Sequence, residues 1–397
     1  MSPLDFRPFD ADNHYYESED AFTRHVPKAM QSRCVQWAEI GGRRHHIVGG
    51  KLAHAVANPT WNPIAKPGAI SEFLRGNPNK IDPKSLLKER EALPDCYLNS
   101  EARVARLDAQ GLEAVWVFPT LGVLYEELIK HDTEAVKALF HGFNRWLEDD
   151  WGCNYQDRIY AAPYISLADV DFACDELEWA LSKDARVVVM RPAAVHTASD
   201  GVLSPANPKF DPFWARVNEA GVTVVIHAGD SGYTTHGYVR DGFSAAGLGG
   251  PMMPNIKHFN IERAAYDFLI TLSYERLFER FPNLRVASIE NGAEFLPDLL
   301  RKLAQSRDRL DVMNYYKEDP ALLFKEHVWI NPFWEDDVYE IESLMGADRV
   351  IFGSDWPHIE GMPEPLDYVP ELSKFDDTKK QLILRDNTRS LNVRRAA

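Results

Sequence analysis

Eight short apolar, β-branched runs recur along the 397 residues, and most are followed by a stretch with helical periodicity. After a first strand near Phe9–His14, the runs are 114–118 (AVWVF), 158–164, 186–192, 221–227, 283–290, 327–331 and 349–355. Helical periodicity covers 101–110, 134–150, 170–182, 211–220, 260–281, 294–310, 339–345 and 377–387, with Gly111 placed to cap the first of these. Strands that are almost entirely apolar and alternate with helices predict a parallel sheet buried on both faces. Eight such units favour an α/β chain closed as a (β/α)8 barrel, a TIM barrel, over an open doubly wound sheet. No Gly-x-Gly-x-x-Gly follows the first strand, which removes the main support for dinucleotide binding.

The region 18–100 breaks this rhythm. It is polar and proline-rich, with a hairpin turning at Gly41-Gly42 and an irregular stretch at 58–68 that contains Trp61. Without sustained apolar periodicity it reads as an insertion after strand 1, not a separate unit, so 1–397 is expected to be a single barrel domain. His45 and His46 on the hairpin are expected to be solvated and not ligands.

A net charge of −16 argues against nucleic acid and against anionic membrane surfaces, both of which call for clustered cations. Four scattered cysteines, no CxxC motif and no apolar run of spanning length point to a cytoplasmic enzyme with a small-molecule substrate. A homo-oligomer, a dimer built on the insertion, is the expected assembly.

In such barrels the chemistry sits where strands end. The strand-terminal residues here are Asp12 and His14, Phe118, Tyr164, Arg191, His227, Glu290, Asn331 and Asp355. Asp12 and His14, two apart on an extended backbone, face the same side. A single strand-end histidine is ordinarily structural or solvated, but five carboxylate or imidazole groups at one height form a ligand set. One divalent ion bound by Asp12, His14, His227 and Asp355 accounts for them.

The run Phe352-Gly-Ser-Asp-Trp-Pro-His358, the strand ending Val225-Ile-His227, Arg280-Phe-Pro-Asn-Leu-Arg-Val286 and the N-terminal Asp-x-His resemble the amidohydrolase superfamily. Within it they resemble the amidohydrolase-related (amidohydrolase 2) group that includes aminocarboxymuconate-semialdehyde decarboxylase. The resemblance implies Asp12 and His14 as the first ligand pair, His227 as the strand-5 ligand and Asp355 as ligand or base. Three features depart from familiar members. Asp12 stands where many carry histidine, and Glu290 stands where decarboxylating members typically carry histidine. Strand 4 has no lysine to be carbamylated, which implies one ion and not two.

Asp12 and Asp355 together offset the ion's charge, and oxygen-rich ligation widens the choice of metal from zinc to manganese or iron. Asp355, Glu290 and His358 are then the expected proton-transfer groups. Arg191 is a candidate clamp for a substrate carboxylate, the alternative being an ion pair with Glu290 or Asp355. Trp61 and Trp334, with Trp116, Phe118, Phe333 and Trp356, suggest a pocket for a flat or hydrophobic ring. His236 and His258 are further loop candidates. The leading expectation is a metal-dependent hydrolase, using metal-activated water on a C–N, C–O or activated C–C bond of a small organic acid, aromatic or cyclic acids included. The alternatives are a non-oxidative decarboxylase of an aromatic or muconate-like acid, and a catalytically silent binding protein.

Overall fold

The computed structural model describes residues 4–54, 56, 58–86, 88–233 and 259–395. Seven barrel strands are β1 (Phe9–Tyr15), β2 (Ala114–Pro119), β3 (Ile159–Ala161), β4 (Val187–Met190), β5 (Thr223–His227), β6 (Arg285–Ile289) and β7 (Val328–Ile330). β1 pairs with β2 and β2 with β3, while β4, β5, β6 and β7 pair in turn, all in parallel. Single parallel bridges complete the ring, Tyr164 to Val189 between β3 and β4, and Ile330 to Val350 beyond β7.

The eighth stave, the extended segment 350–356, closes the ring with few ladder bonds. Ile351 N–H donates to the Ile330 carbonyl (2.9 Å), Ala11 N–H to Phe352 (2.8 Å) and His14 N–H to Trp356 (2.8 Å). Side chains take over where the ladder thins. Ser354 donates from its N–H to Asp10 Oδ1 (3.0 Å) and from its hydroxyl to Asp10 Oδ2 (2.5 Å). The Asp12 N–H and the Asn13 amide donate to the same carboxylate (3.1 and 3.0 Å). Asp10 therefore sets the register of the first stave against the last, one layer below Asp12 and His14.

Most helices fall where the periodicity places them, and Asn99, Asp132, Asp169 and Asp337 cap four of them through their side chains. Two helices of the barrel, Gly122–Ile129 and Pro320–His327, lacked a readable signal, as did two short ones in the insertion, Ser71–Leu74 and Pro83–Leu86. The stretch 260–281 is two helices, Asn260–Tyr274 and Leu277–Arg280, parted at Arg276, which is left-handed at φ 63°.

The insertion forms the expected hairpin, Val35–Ile40 against Arg43–Val48, with Gly41 and Gly42 at φ 60° and 75°. Both central residues of such a two-residue turn need positive φ. Farther on, Gly68 N–H and Ile70 N–H donate to the carbonyls of His358 (2.9 Å) and Ile359 (2.8 Å), tying the insertion to the loop after the eighth stave. Gly68 is required there. It sits at φ 68°, and a Cβ would lie 2.5 Å from Pro363. Among the described residues no helix is long and apolar enough to cross a membrane.

Candidate metal centre and active site

The strand ends bring together Asp12, His14, His227, Glu290 and Asp355. His14 Nε2 lies 3.5 Å from Asp12 Oδ1, 3.3 Å from Asp355 Oδ1 and 3.9 Å from Glu290 Oε2. His227 Nε2 lies 3.5 Å from both Asp12 Oδ1 and Glu290 Oε2. Donor atoms about 2.1 Å from one ion in tetrahedral array are separated by roughly 3.4 Å, so these spacings suit a metal cage. Among the described residues, His14, Glu290, Asp355 and His358 form one potential ligand group, and Asp12, His14 and His227 an overlapping one.

Hydrogen bonding leads to the same conclusion. The ring of His227 donates from Nδ1 to the Ala228 carbonyl (2.8 Å), which leaves the lone pair on Nε2. Among the described residues, that Nε2, both nitrogens of His14 and Asp12 Oδ1 are buried without a hydrogen-bond partner. Buried acceptors aimed at each other repel unless a cation lies between them. The charges are equally crowded. Burial, then the neighbouring Asp355 and Asp12, push the Glu290 carboxyl well above its ordinary range. Burial, then Glu360 and Asp12, push Asp355 up as well. Burial and the adjacent His358 hold His14 well below the usual imidazole range, in the neutral form that binds metal. Burial opposes ionisation of Asp12, but the contacts from His14 and His227 prevail and hold its carboxyl low. This donor set fits a divalent ion.

The backbone aims these groups. Glu290 and Asp355 are left-handed at φ 55° and 53°, a conformation that costs a non-glycine residue on the order of 1 kcal/mol or more and clusters at functional sites. Phe118 packs against the His14 and His227 rings. Arg103, buried, donates to the carbonyls of His14 (2.7 Å) and Cys96 (2.6 Å) and to the Asn13 side chain, bracing the end of β1 from outside. Neither Asp10 nor Arg103 was singled out from sequence, although Asp10 shares the two-residue spacing of Asp12 and His14.

Gly353 leaves room for Asp12, since a Cβ there would lie 2.4 Å from Asp12 Cβ and 2.8 Å from Asn331 Nδ2. Gly353→Ala is expected to cost about 1–3 kcal/mol of stability by overpacking and to lower bound metal. Thermal melting and elemental analysis of the same sample check both.

A cavity of about 720 Å³ opens above the cluster, with His14, His227, Glu290 and His358 on its floor. Tyr16, Val123, Leu124 and Ile359 line its barrel side, and Trp61, His45, His54 and Arg90 reach it from the insertion. Trp61 is thus brought to the cavity.

Other expectations need correction. Arg191 is turned away from both the cluster and the cavity lining. It donates to Glu127 Oε2 (2.6 Å) and the Asp230 carbonyl (2.6 Å), with Glu126 3.5 Å from its Nε, and pairs with neither Glu290 nor Asp355. Trp334 lies outside the lining, beneath the Arg75 guanidinium 4.1 Å from its ring centre. Trp116 points to the helix layer, where its indole N–H donates to Asn392 (2.9 Å), because alternate strand residues face opposite sides. His46 is buried against Tyr125 (2.6 Å to its hydroxyl) and not solvated, and His45 lines the cavity. His236 and His258 lie outside the described residues.

Beside the floor, Glu17 is buried and accepts the N–H groups of Leu121 (2.7 Å) and Gly122 (3.1 Å). Burial pushes its carboxyl up to about 7, against those backbone donors. The folded chain therefore holds a proton that the unfolded chain releases above about 4.5, so this site loses stability as pH rises from about 4.5 to about 7. Relative to Glu17→Gln, the wild type is expected to lose on the order of 3 kcal/mol across that window and to level off above it. Urea melts of both proteins from pH 4 to 8.5 give the difference curve; parallel curves would contradict it.

Residues 121–391 match the amidohydrolase family, and the chain belongs to it. No curated protein matches the chain. Among solved structures, an amidohydrolase from Mycobacterium avium subsp. paratuberculosis K-10 is 38% identical, with a TM-score of 0.91 over 98% of this chain and 100% of that one. More distant is 5-carboxyvanillate decarboxylase from Novosphingobium aromaticivorans DSM 12444, complexed with manganese and 4-hydroxy-3-methoxy-5-nitrobenzoic acid. It is 15% identical, with a TM-score of 0.60 over 98% of this chain and 96% of that one. The 2,6-dihydroxybenzoate decarboxylase from Rhizobium is 18% identical, with a TM-score of 0.57 over 83% and 96%. The two decarboxylases share the fold.

Proposed function

We propose that the protein is a metal-dependent, non-oxidative decarboxylase of an aromatic or muconate-like acid. The observation that carries this reading is the carboxylate-rich cluster beneath a largely apolar cavity. An ion held by Asp12, His14, His227 and Asp355 would supply a fixed positive charge for substrate oxygens, but these anionic ligands offset much of its power to activate water. Hydrolysis depends on that activation. Decarboxylation depends instead on holding the acid and supplying a proton. The C–CO2 bond breaks, its electron pair stays on the substrate carbon, and a proton joins that carbon as CO2 leaves.

Glu290 and His358 line the cavity floor and are the proton donors of this reading, and Asp355 is bonded to His358. The ring of the acid would pack among Tyr16, Trp61, Val123 and Leu124. Decarboxylases of the same fold act on dihydroxybenzoate and carboxyvanillate, and three of their structures contain manganese, which makes that ion the first to try.

Hydrolysis is the second reading, favoured by the Asp355–His358 contact, which could serve as a general base for water. The test is to incubate manganese-loaded protein with a panel of hydroxybenzoates and muconates in deuterated water. Released CO2 with one deuterium on the product carbon is expected. Incorporation of 18O from labelled water without CO2 would select hydrolysis.

A further inference from the structure

We propose that Thr120 is a positioning residue: its hydroxyl fixes the His358 ring with hydrogen on Nε2 and Nδ1 turned to Asp355. The inference rests on the reading of Asp355 and His358 as a proton-transfer pair. Thr120 Oγ1 lies 2.7 Å from the Tyr15 carbonyl oxygen and 2.9 Å from His358 Nε2. A carbonyl only accepts, so the single hydroxyl proton of Thr120 is committed to Tyr15. What Thr120 offers His358 is then a lone pair, and the contact is attractive only when Nε2 carries the hydrogen. The opposite ring nitrogen, Nδ1, lies 2.7 Å from Asp355 Oδ1, a spacing that needs a proton between them. His358 thus keeps hydrogen on Nε2 while a second proton is shared between Nδ1 and Asp355.

Other contacts keep the ring from turning. His358 stacks on His14 with centroids 3.9 Å apart and an interplanar angle of 30°, and the Tyr16 ring meets it at 5.8 Å. Thr120 is itself anchored, because the next two residues give their N–H groups to the buried Glu17. The loop after β2 thus reaches across the barrel mouth to the histidine that follows the eighth stave. Thr120 and His358 both line the cavity, so the contact lies at the substrate face. No step of the reaction passes through Thr120. Its role is to choose the edge of His358 that faces the carboxylate.

The test combines a spectroscopic and a kinetic readout on Thr120→Val and Thr120→Ser. Long-range 1H–15N correlation on zinc-loaded, histidine-labelled protein reads the tautomer of His358, assigned with His358→Gln. Wild type and Thr120→Ser are expected to show hydrogen on Nε2, and Thr120→Val to lose that signature with metal content unchanged. Turnover should fall up to about a hundredfold in Thr120→Val, with KM little changed, and recover in Thr120→Ser. An unaltered His358 spectrum in Thr120→Val, or equal losses in both variants, would overturn the inference. A changed spectrum with unchanged turnover would uphold the hold of Thr120 on the ring and overturn the proton-transfer role of His358.

Discussion

His227→Ala is expected to leave a folded barrel with less than about a tenth of an ion per chain and turnover lowered by about 10³ or more. The metal's charge stabilisation is worth several kcal/mol, and about 4 kcal/mol corresponds to a thousandfold. Of the proposed ligands, His227 has the least freedom to be replaced. The Ala228 carbonyl fixes its tautomer, Phe118 packs on its ring, and its Nε2 spans the gap between Asp12 Oδ1 and Glu290 Oε2 at 3.5 Å each. Removing it leaves carboxylates facing one another with one imidazole fewer between them. Truncating the buried ring also opens a void, so melting is expected at a lower temperature without loss of the cooperative transition. Elemental analysis, melting and turnover on one preparation separate these effects. A variant that keeps one ion per chain and wild-type turnover would sink the assignment.

The fold was legible because a parallel barrel buries both faces of its strands, and runs such as Val187–Met190 and Thr223–His227 announce this in composition alone. Even the eighth stave could be read from its apolar residues, although its ladder is sparse and Asp10 completes the closure. The cluster at the strand ends was legible for a related reason. Strand ends of one barrel share a height, so Asp12, His14, His227 and Asp355 could be grouped without knowing any distance.

Direction was harder to read than height. Arg191 follows β4 directly, yet its guanidinium turns to Glu126 and Glu127 on the helix Gly122–Ile129, which carried no clear signal after Pro119. With that helix unrecognised, its acidic residues could not compete for the arginine. Asp10 and Arg103 act through partners 344 and 90 residues away, and no local pattern announces such contacts. The insertion showed its hairpin and its tryptophan. Its docking on the loop at 358–363 depends on backbone bonds of Gly68 and Ile70, which leave no side-chain pattern in the sequence.

Glu290→Gln tests the chemistry most directly, because it keeps the shape of the side chain and removes its ionisable proton. Positioned proton donors contribute about 10²–10⁴-fold, and turnover is expected to fall by at least the lower figure. Glu290 is placed for this role by its strained backbone at φ 55° and by its position on the cavity floor beside the rings of His14 and His227. Asp12, His14, His227 and Asp355 remain in the variant, so metal content is expected to stay near one ion per chain. That separates it from His227→Ala, in which metal and turnover fall together. The outcome also bears on the departure that first set this chain apart. Where the sequence resemblance implies a histidine in decarboxylating members, this chain places a carboxyl group beside two other carboxylates. Burial opposes loss of the proton from Glu290, which suits a donor to carbon. Unchanged turnover in Glu290→Gln would transfer the donor role to His358 and leave Glu290 as a wall of the cage.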